Sequence, residues 1–448
     1  MTTMATPPAQ QAESEGPAVK GPPPGPRLPR TVQTVLWAAR PLWFLKRARR
    51  RHGDVFTIRP YAFGNLVVVA SPEHIKAVFS ADRDVFAAGE ANAAMSPVLG
   101  RQSLLTLDGE RHLRQRKLML PPFHGEAVRR YRDRIEKITA QEVATWPTGK
   151  TFPIAPRMQA ITFEIILRAV IGVSDPHRLA RLRELLPKLL DFSVLDMWMV
   201  WLFPKILNTP LSRGHKSMRV RPEIDRLLYE EISAHRADPD AHDDILALLV
   251  SARDADDQPL SDENLLDQII TLLLAGHETT TTGLSWAFER LLRHPAALRR
   301  LERELQSDDE TYLDAVVNET LRVRPVIDGV WRKLTAPAIV AGHLLPAGTL
   351  VFPAIALVQT SDAFPDPEAF RPERFLEGSP RPYTFIPFGG GTRRCIGAAF
   401  AVMEMKTVIK TVLLHVELRT PTLAPEKPRV HHVTLVPSRG ASVITTLR

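Results

Sequence analysis

This chain of 448 residues has one cysteine, and its position constrains the fold more than any other feature. Cys395 lies in FIPFGGGTRRCIGAAFAVMEMKTVIKTVLL, residues 385–414. Gly389, Gly390 and Gly391 permit close turns that a Cβ would forbid. Cys395 then falls just before a helical pattern carried by Ala398, Ala399, Phe400, Val402, Met405, Ile409 and Val412. A sulfur at a helix start meets unpaired backbone N–H groups and the positive end of the dipole, and both favour thiolate over thiol. Arg393 and Arg394 add positive charge, and Gly397 lets a flat partner approach. This is suitable chemistry for a sulfur that donates to a metal. The other reading of a lone cysteine is a buried small hydrophobe. A single cysteine excludes an intramolecular disulfide and any multi-cysteine metal site. The loop is not a phosphate loop, because no Gly-Lys-Ser/Thr follows. It is not the dinucleotide fingerprint, because Arg394 stands at the third glycine position.

A hydrophobic share of 44% and a charged share of 24% exclude a disordered or fibrous chain. Lys and Arg exceed Asp and Glu by 58 to 50, a net +8. Such a balance suits nucleic acid, anionic lipid or an acidic protein, or simply a solvated basic surface. None of the usual nucleic-acid motif spacings occurs, so nucleic acid is not expected as a partner. No run approaches the roughly 18 apolar residues of a membrane span. The N-terminus lacks the order of a signal peptide.

Residues 1–30, rich in Pro, Gly, Ala and Gln, read as a disordered tail with a stiff extended end. Residues 31–51 read as a first helix interrupted at Pro41, either packed on the core or resting on a membrane surface through Trp37, Trp43 and Phe44. DVFTIRP and NLVVVAS read as strands. Beyond about residue 72 the chain reads as helices separated by breakers such as Trp146-Pro147-Thr148-Gly149 and Asp238-Pro239-Asp240. A β pattern returns from about 334 to 357, and VTLVP and SVITTLR form a C-terminal β pair. The expected architecture is one mainly α domain over 31–448 with small β-sheets.

Ser261-Asp262-Glu263 offers a helix start, and the helical pattern then runs to about His294, before Pro295. About 30 residues at 1.5 Å each would cross a whole domain. The middle of this segment, Ala275-Gly276-His277-Glu278-Thr279-Thr280-Thr281-Thr282-Gly283, holds poor helix formers. Their hydroxyls can bond carbonyls one turn back and open a groove, or the small residues can serve close packing. A zinc-protease reading fails, because His277-Glu278 has no second histidine at 281.

Phe388, Gly391, Arg393, Cys395 and Gly397 stand as F-x-x-G-x-R-x-C-x-G, which resembles the haem-binding loop of the cytochrome P-450 monooxygenases. The stretch A-G-x-E-T-T resembles the same family's central helix over the distal face of haem. Glu319 and Arg322, by themselves a surface i,i+3 pair, resemble its E-x-x-R motif, and FRPERF at 370–375 its meander. The match spans roughly residues 50–448 in the family's order. The resemblance implies the cytochrome P-450 fold and haem b, iron protoporphyrin IX, with Cys395 as the thiolate ligand of the iron. It implies Glu278 and Thr279 as the acid–alcohol pair that delivers protons to bound dioxygen, and Ala275 and Gly276 as the positions that leave room for it. It implies His112, Arg116 and Arg393, with Arg332 as a further candidate, as propionate ligands. Glu319, Arg322 and Arg374 would form a buried structural network.

The activity implied is insertion of one oxygen atom from O2 into a small lipophilic substrate. The pocket candidates are Met95, Val98, Leu99, Leu274, Val326, Ile327 and Val330, with Asp328 either binding a polar substrate group or capping a turn. The apolar segment 191–207, with Trp198, Trp201 and Phe203, reads as a lid or as ordinary helix packing. Only 53 residues follow Cys395, so electrons are expected from a separate ferredoxin or flavodoxin with its reductase. That partner would dock on the basic helix 111–117 and on Lys406 and Lys410. The expected protein is a monomeric, cytoplasmic, bacterial-type member. A peroxide-driven haem-thiolate enzyme and a non-catalytic haem sensor or carrier are the alternatives, and Glu278 and Thr279 weigh against the first.

Overall fold

The computed structural model describes residues 20–447 except 62, 174, 190–217 and 308. The segment 191–207 expected as a lid lies outside the described residues. The fold is mainly α with small sheets, as the patterning predicts.

The first helical segment breaks where the residue before a proline is pushed from helical geometry. Arg40 has φ −146°, between the helices Arg30–Ala39 and Pro41–His52. Trp37, Phe44 and Leu45 are buried against Phe56, Leu66 and Phe352, so this segment packs on the core. Residues 20–29, read from composition as part of a tail, also hold defined contacts. Thr57 N donates to Pro24 O at 2.8 Å, and Lys20 N to Gly342 O at 2.9 Å. A proline-rich stretch can lie along the sheet's outer strand, Val55–Ile58, and cover an edge that would otherwise be open.

Five strands form the main sheet, in the order Val55–Ile58, Leu66–Val69, Leu350–Pro353, Arg332–Leu334, Phe86–Ala87. Leu66–Val69 runs parallel to Leu350–Pro353, so residues near both ends of the chain share one sheet. The expected pairing of VTLVP with SVITTLR does not occur. Thr434–Pro437 pairs with Pro428–His431, whereas Ser442–Leu447 pairs with Val416–Arg419 and Thr151–Pro153. Positive φ at Gly440 (69°) and Ala441 (55°) redirects the chain between the two strands.

The helix Asp262–Leu291 runs unbroken through the core, its start capped by Ser261, whose hydroxyl accepts from Asn264 N. It packs against the helices Ala155–Ile165, Thr311–Val323 and Ala398–His415. A Cβ on Gly283 would stand 3.1 Å from Met405 Sδ, so small residues there set a close crossing with the helix that follows Cys395. Among the described residues no helix is long and apolar enough to cross a membrane.

Asp328 resolves toward its local role. Its carboxyl takes bonds from the Trp37 indole and the Gly329 N–H, and burial raises its pKa to about 6 against their pull. A raised carboxyl pKa means stability that is complete below pH 3.8 and is lost as pH rises to about 6. Asp328→Asn should therefore stabilise the protein at pH 7.5 by up to about 3 kcal/mol and do little at pH 4. Urea midpoints at the two pH values check this; equal shifts would contradict it.

Candidate active site

The cysteine loop is shaped by contact with Phe79. Gly389 and Gly391 have φ of 69° and 64°. A Cβ on Gly390 would meet the Phe79 ring at 2.4 Å, and one on Gly391 would meet Phe79 O at 2.3 Å. Cys395 N donates to Phe388 O at 2.9 Å, which closes the loop three residues before the helix Ala398–His415. Nothing lies within 4 Å of the place a Cβ on Gly397 would take, so that flank suits a flat partner.

Cys395 is exposed, yet the protein around it desolvates the sulfur and raises the thiol pKa. The Gly397 N–H, Arg116 and Arg394 pull the other way and do not win. The dipole argument from sequence is therefore incomplete, because burial outweighs it. A bound metal cation reverses the balance, since a coordinating thiol is deprotonated outright.

Three segments, the helix Gly109–Met119, the strand Arg332–Leu334 and the cysteine loop itself, bring basic side chains together. His112 is buried, and its pKa falls to about 3 through burial and the charges of Arg393, Arg116 and Arg332. Burial, reinforced by Arg393, lowers Arg332 to about 10. Arg116 is lowered by burial and feels the Cys395 sulfur. Arg393 donates to Leu104 O at 3.0 Å and contacts Leu107 O and Asp108. Groups that depress one another's charged forms are arranged for an anion. The set fits a flat, dianionic, metal-bearing cofactor bound through sulfur.

On the long helix, Ala275 is exposed although the helix runs through the core. Thr279 Oγ1 donates to Ala275 O at 2.7 Å and Ser285 Oγ to Thr281 O at 2.7 Å, so the expected back-bonding occurs. Gly276 also has a packing reason to be glycine. Its Cβ would stand 2.6 Å from Ile166 Cδ1, so the glycine admits the neighbouring segment Ile166–Val170. Glu278 accepts from His431 Nδ1 at 3.1 Å, His432 Nδ1 at 2.9 Å and Thr434 Oγ1 at 2.9 Å. Burial alone would raise its pKa, but these partners lower it to about 2.

Glu319 and Arg322 are fully buried rather than a surface pair. Arg322 donates to both Glu319 oxygens at 2.7 and 2.8 Å and to the carbonyls of Gln359, Pro367 and Ala369. Arg374 Nε donates to Glu319 Oε1 at 3.0 Å. Among the pocket candidates, Met95, Val98, Leu274, Val326, Ile327 and Val330 keep partial exposure. Leu99 has none, which makes it core and not lining.

The basic docking face is more neutral than expected. Arg114 is paired with Asp254 and Asp256, Lys406 with Glu310 at 2.8 Å and Asp314 at 3.0 Å, and Lys410 with Glu310 at 3.7 Å. These carboxylates come from distant segments, so local sequence could not reveal them. Sequence reasoning also missed Glu404, a buried carboxyl beside Thr280 whose pKa burial raises strongly. A glutamate among Val402, Met403 and Met405 was the available signal.

Fold and site together define a haem-thiolate oxidase architecture, and comparison with known proteins agrees. The profile of the family described as Cytochrome P450 matches residues 22–444. Cytochrome P450 135B1 of Mycobacterium tuberculosis is 46% identical over 440 residues, 96% of this chain and 92% of its own length. Cytochrome P450 135A1 of the same organism is 39% identical over 94% of both chains. The structure of retinoic acid bound cyanobacterial CYP120A1 superimposes with a TM-score of 0.83 at 27% identity, over 96% of this chain and 100% of that one. The chain belongs to the cytochrome P450 family. It is a haem b monooxygenase.

Proposed function

We propose that this protein inserts one oxygen atom from O2 into a small lipophilic molecule, with electrons from a separate ferredoxin or flavodoxin. The observation that carries the reading is the convergence of one exposed sulfur, Cys395, with three arginines, Arg116, Arg332 and Arg393, and the buried His112. Cys395 Sγ would hold the haem iron, and Arg116, Arg332 and Arg393, with the neutral imidazole of His112 as a further hydrogen-bonding group, would hold its propionates. Haem held by a thiolate supplies the electron push that favours O–O cleavage. Phe388 and Gly391 fix the shape of the loop, and the open space at Gly397 would admit the flat group.

Glu278 and Thr279 handle protons. Glu278 is ionised at working pH and is held on the hairpin side by His431, His432 and Thr434. Thr279 Oγ1 donates to Ala275 O, which leaves its lone pairs free to accept, and breaking that bond would release the hydroxyl as a donor. Ala275 presents only a methyl group there. Met95, Val98, Leu274, Val326, Ile327 and Val330 present apolar surface, which suits a fatty acid, terpene, steroid or polyketide. The neighbour solved with retinoic acid supports that class. The redox partner docks at the depression beside the cysteine loop lined by His124, Arg132, Phe388, Arg394, Val402 and Lys406. Arg394 offers positive charge there to an acidic partner, whereas Arg132 and Lys406 are paired with Glu310, so electrostatic steering is weaker than the sequence alone suggests.

The test is the carbon monoxide difference spectrum of the reduced holoprotein beside Cys395→Ser. The expected result is a strongly red-shifted Soret band that the variant loses. Haem without that shift in the unmutated protein would remove Cys395 from the iron and with it the oxygenation reading.

A further inference from the structure

We propose that Glu278, His431 and His432 form a binding site for a divalent cation of the zinc class, and that a cation held there blocks proton handling by Glu278. The second half rests on the monooxygenase reading; the first half does not.

The hairpin that bears the histidines is built to converge them. His431 pairs with Thr434 at the end of the ladder. Adjacent residues in an extended strand point to opposite faces. His432 instead has φ 49°, in the left-handed region, which histidine enters more readily than most residues. The turn brings both rings to one side, with centroids 4.1 Å apart and planes at 54°. Both Nδ1 atoms then face one carboxylate, His431 at 3.1 Å from Oε1 and His432 at 2.9 Å from Oε2. All three ligand atoms lie within 4.8 Å of one another.

Zinc bonds of about 2.0–2.1 Å in a tetrahedron place neighbouring ligand atoms roughly 3.3 Å apart. The nitrogen–oxygen separations here are short of that by only a few tenths of an ångström. Two imidazoles and one glutamate are a donor set of zinc sites that keep a fourth position for water. Glu278 supplies the negative charge. Thr434 Oγ1, bonded to Oε1 at 2.9 Å, orients the carboxylate as an outer partner. On binding, each imidazole carries its proton on Nε2 and offers Nδ1 to the cation, so no net proton is released from a neutral ring. The site is reachable, because the His431 side chain is 49% exposed.

His235, His242 and Asp244 form the other trio of this kind among the described residues. His235 is fully buried there. Its Nε2 bonds Asp244, its Nδ1 bonds Glu231 O, and Asp244 also caps Ala247 N at 2.9 Å. Both ring nitrogens of the buried His235 are engaged there, whereas the hairpin histidines are reachable from solvent, so the hairpin is the favoured site.

A carboxylate ligated to zinc cannot take up and release protons. Turnover should therefore fall as the site fills. The experiment is equilibrium dialysis of the holoprotein against zinc chloride with metal analysis, followed by turnover measured across the same zinc range. The expected result is one zinc per chain with micromolar affinity, weakened at least tenfold in both His431→Ala and His432→Ala. Product formation should fall with the same midpoint and return with EDTA. The carbon monoxide spectrum confirms that each variant is folded, and His431→Gln serves if the alanine variant is not. No stoichiometric zinc, or affinity unchanged in both variants, would overturn the site. Zinc bound without inhibition would overturn its consequence. The dialysis needs no turnover, so failure of the monooxygenase reading would leave that result standing.

Discussion

Arg322→Ala should yield little or no holoprotein. Arg322 and Glu319 are fully buried, and removing one leaves the other as an uncompensated buried charge. Breaking such a pair costs about 3–5 kcal/mol, a large share of a total stability of roughly 5–15 kcal/mol. Three carbonyls, those of Gln359, Pro367 and Ala369, would also lose their donor. They belong to the stretch that leads into the cysteine loop, so loss of haem should accompany loss of stability. Arg322→Lys should rescue little, because a single ammonium cannot reproduce the planar fork that serves Glu319 and the carbonyls together. Haem content after purification and the thermal midpoint test this. Either variant melting with the unmutated protein would contradict the network's structural role.

Glu278→Gln should lower product formation by about a hundredfold or more, the usual contribution of a positioned proton-transfer group. The loss should appear as uncoupling: reductant is still consumed while product per reductant falls. Thr279→Val should behave similarly, and Thr279→Ser should retain much more, because it keeps the hydroxyl that bonds Ala275 O. Glu278 is held at a pKa of about 2, so the glutamine removes a charge as well as a proton carrier. Product and reductant measured together decide the matter. A fall in both by the same factor would mean a positional defect instead.

Much of this was legible locally. The cysteine loop could be read because glycine, cysteine and a helix start are close in sequence and each has its own physical reason. The 262–291 helix could be read from its cap and periodicity, including the hydroxyl back-bonds in its weak middle. Other readings failed where a distant segment intervened. Leu99 proved to be core, and Gly276 has in Ile166 a packing neighbour that the local pattern does not reveal. The cations of the docking face proved to be paired with carboxylates about 90 to 140 positions away, as Arg114 is with Asp254.

The sequence by itself determined the helical character, the positions of the main breaks, and the two segments on which the chemistry centres. Those properties follow from short-range propensities and caps, which act over a few residues. Only the tertiary structure decided which charges meet. It gathered residues 112, 116, 332 and 393 into one cationic cluster, and set burial above the helix dipole at Cys395. It also carried His431 and His432 across some 150 positions to Glu278. Electrostatics and desolvation depend on distance through space, and a linear pattern does not contain those distances.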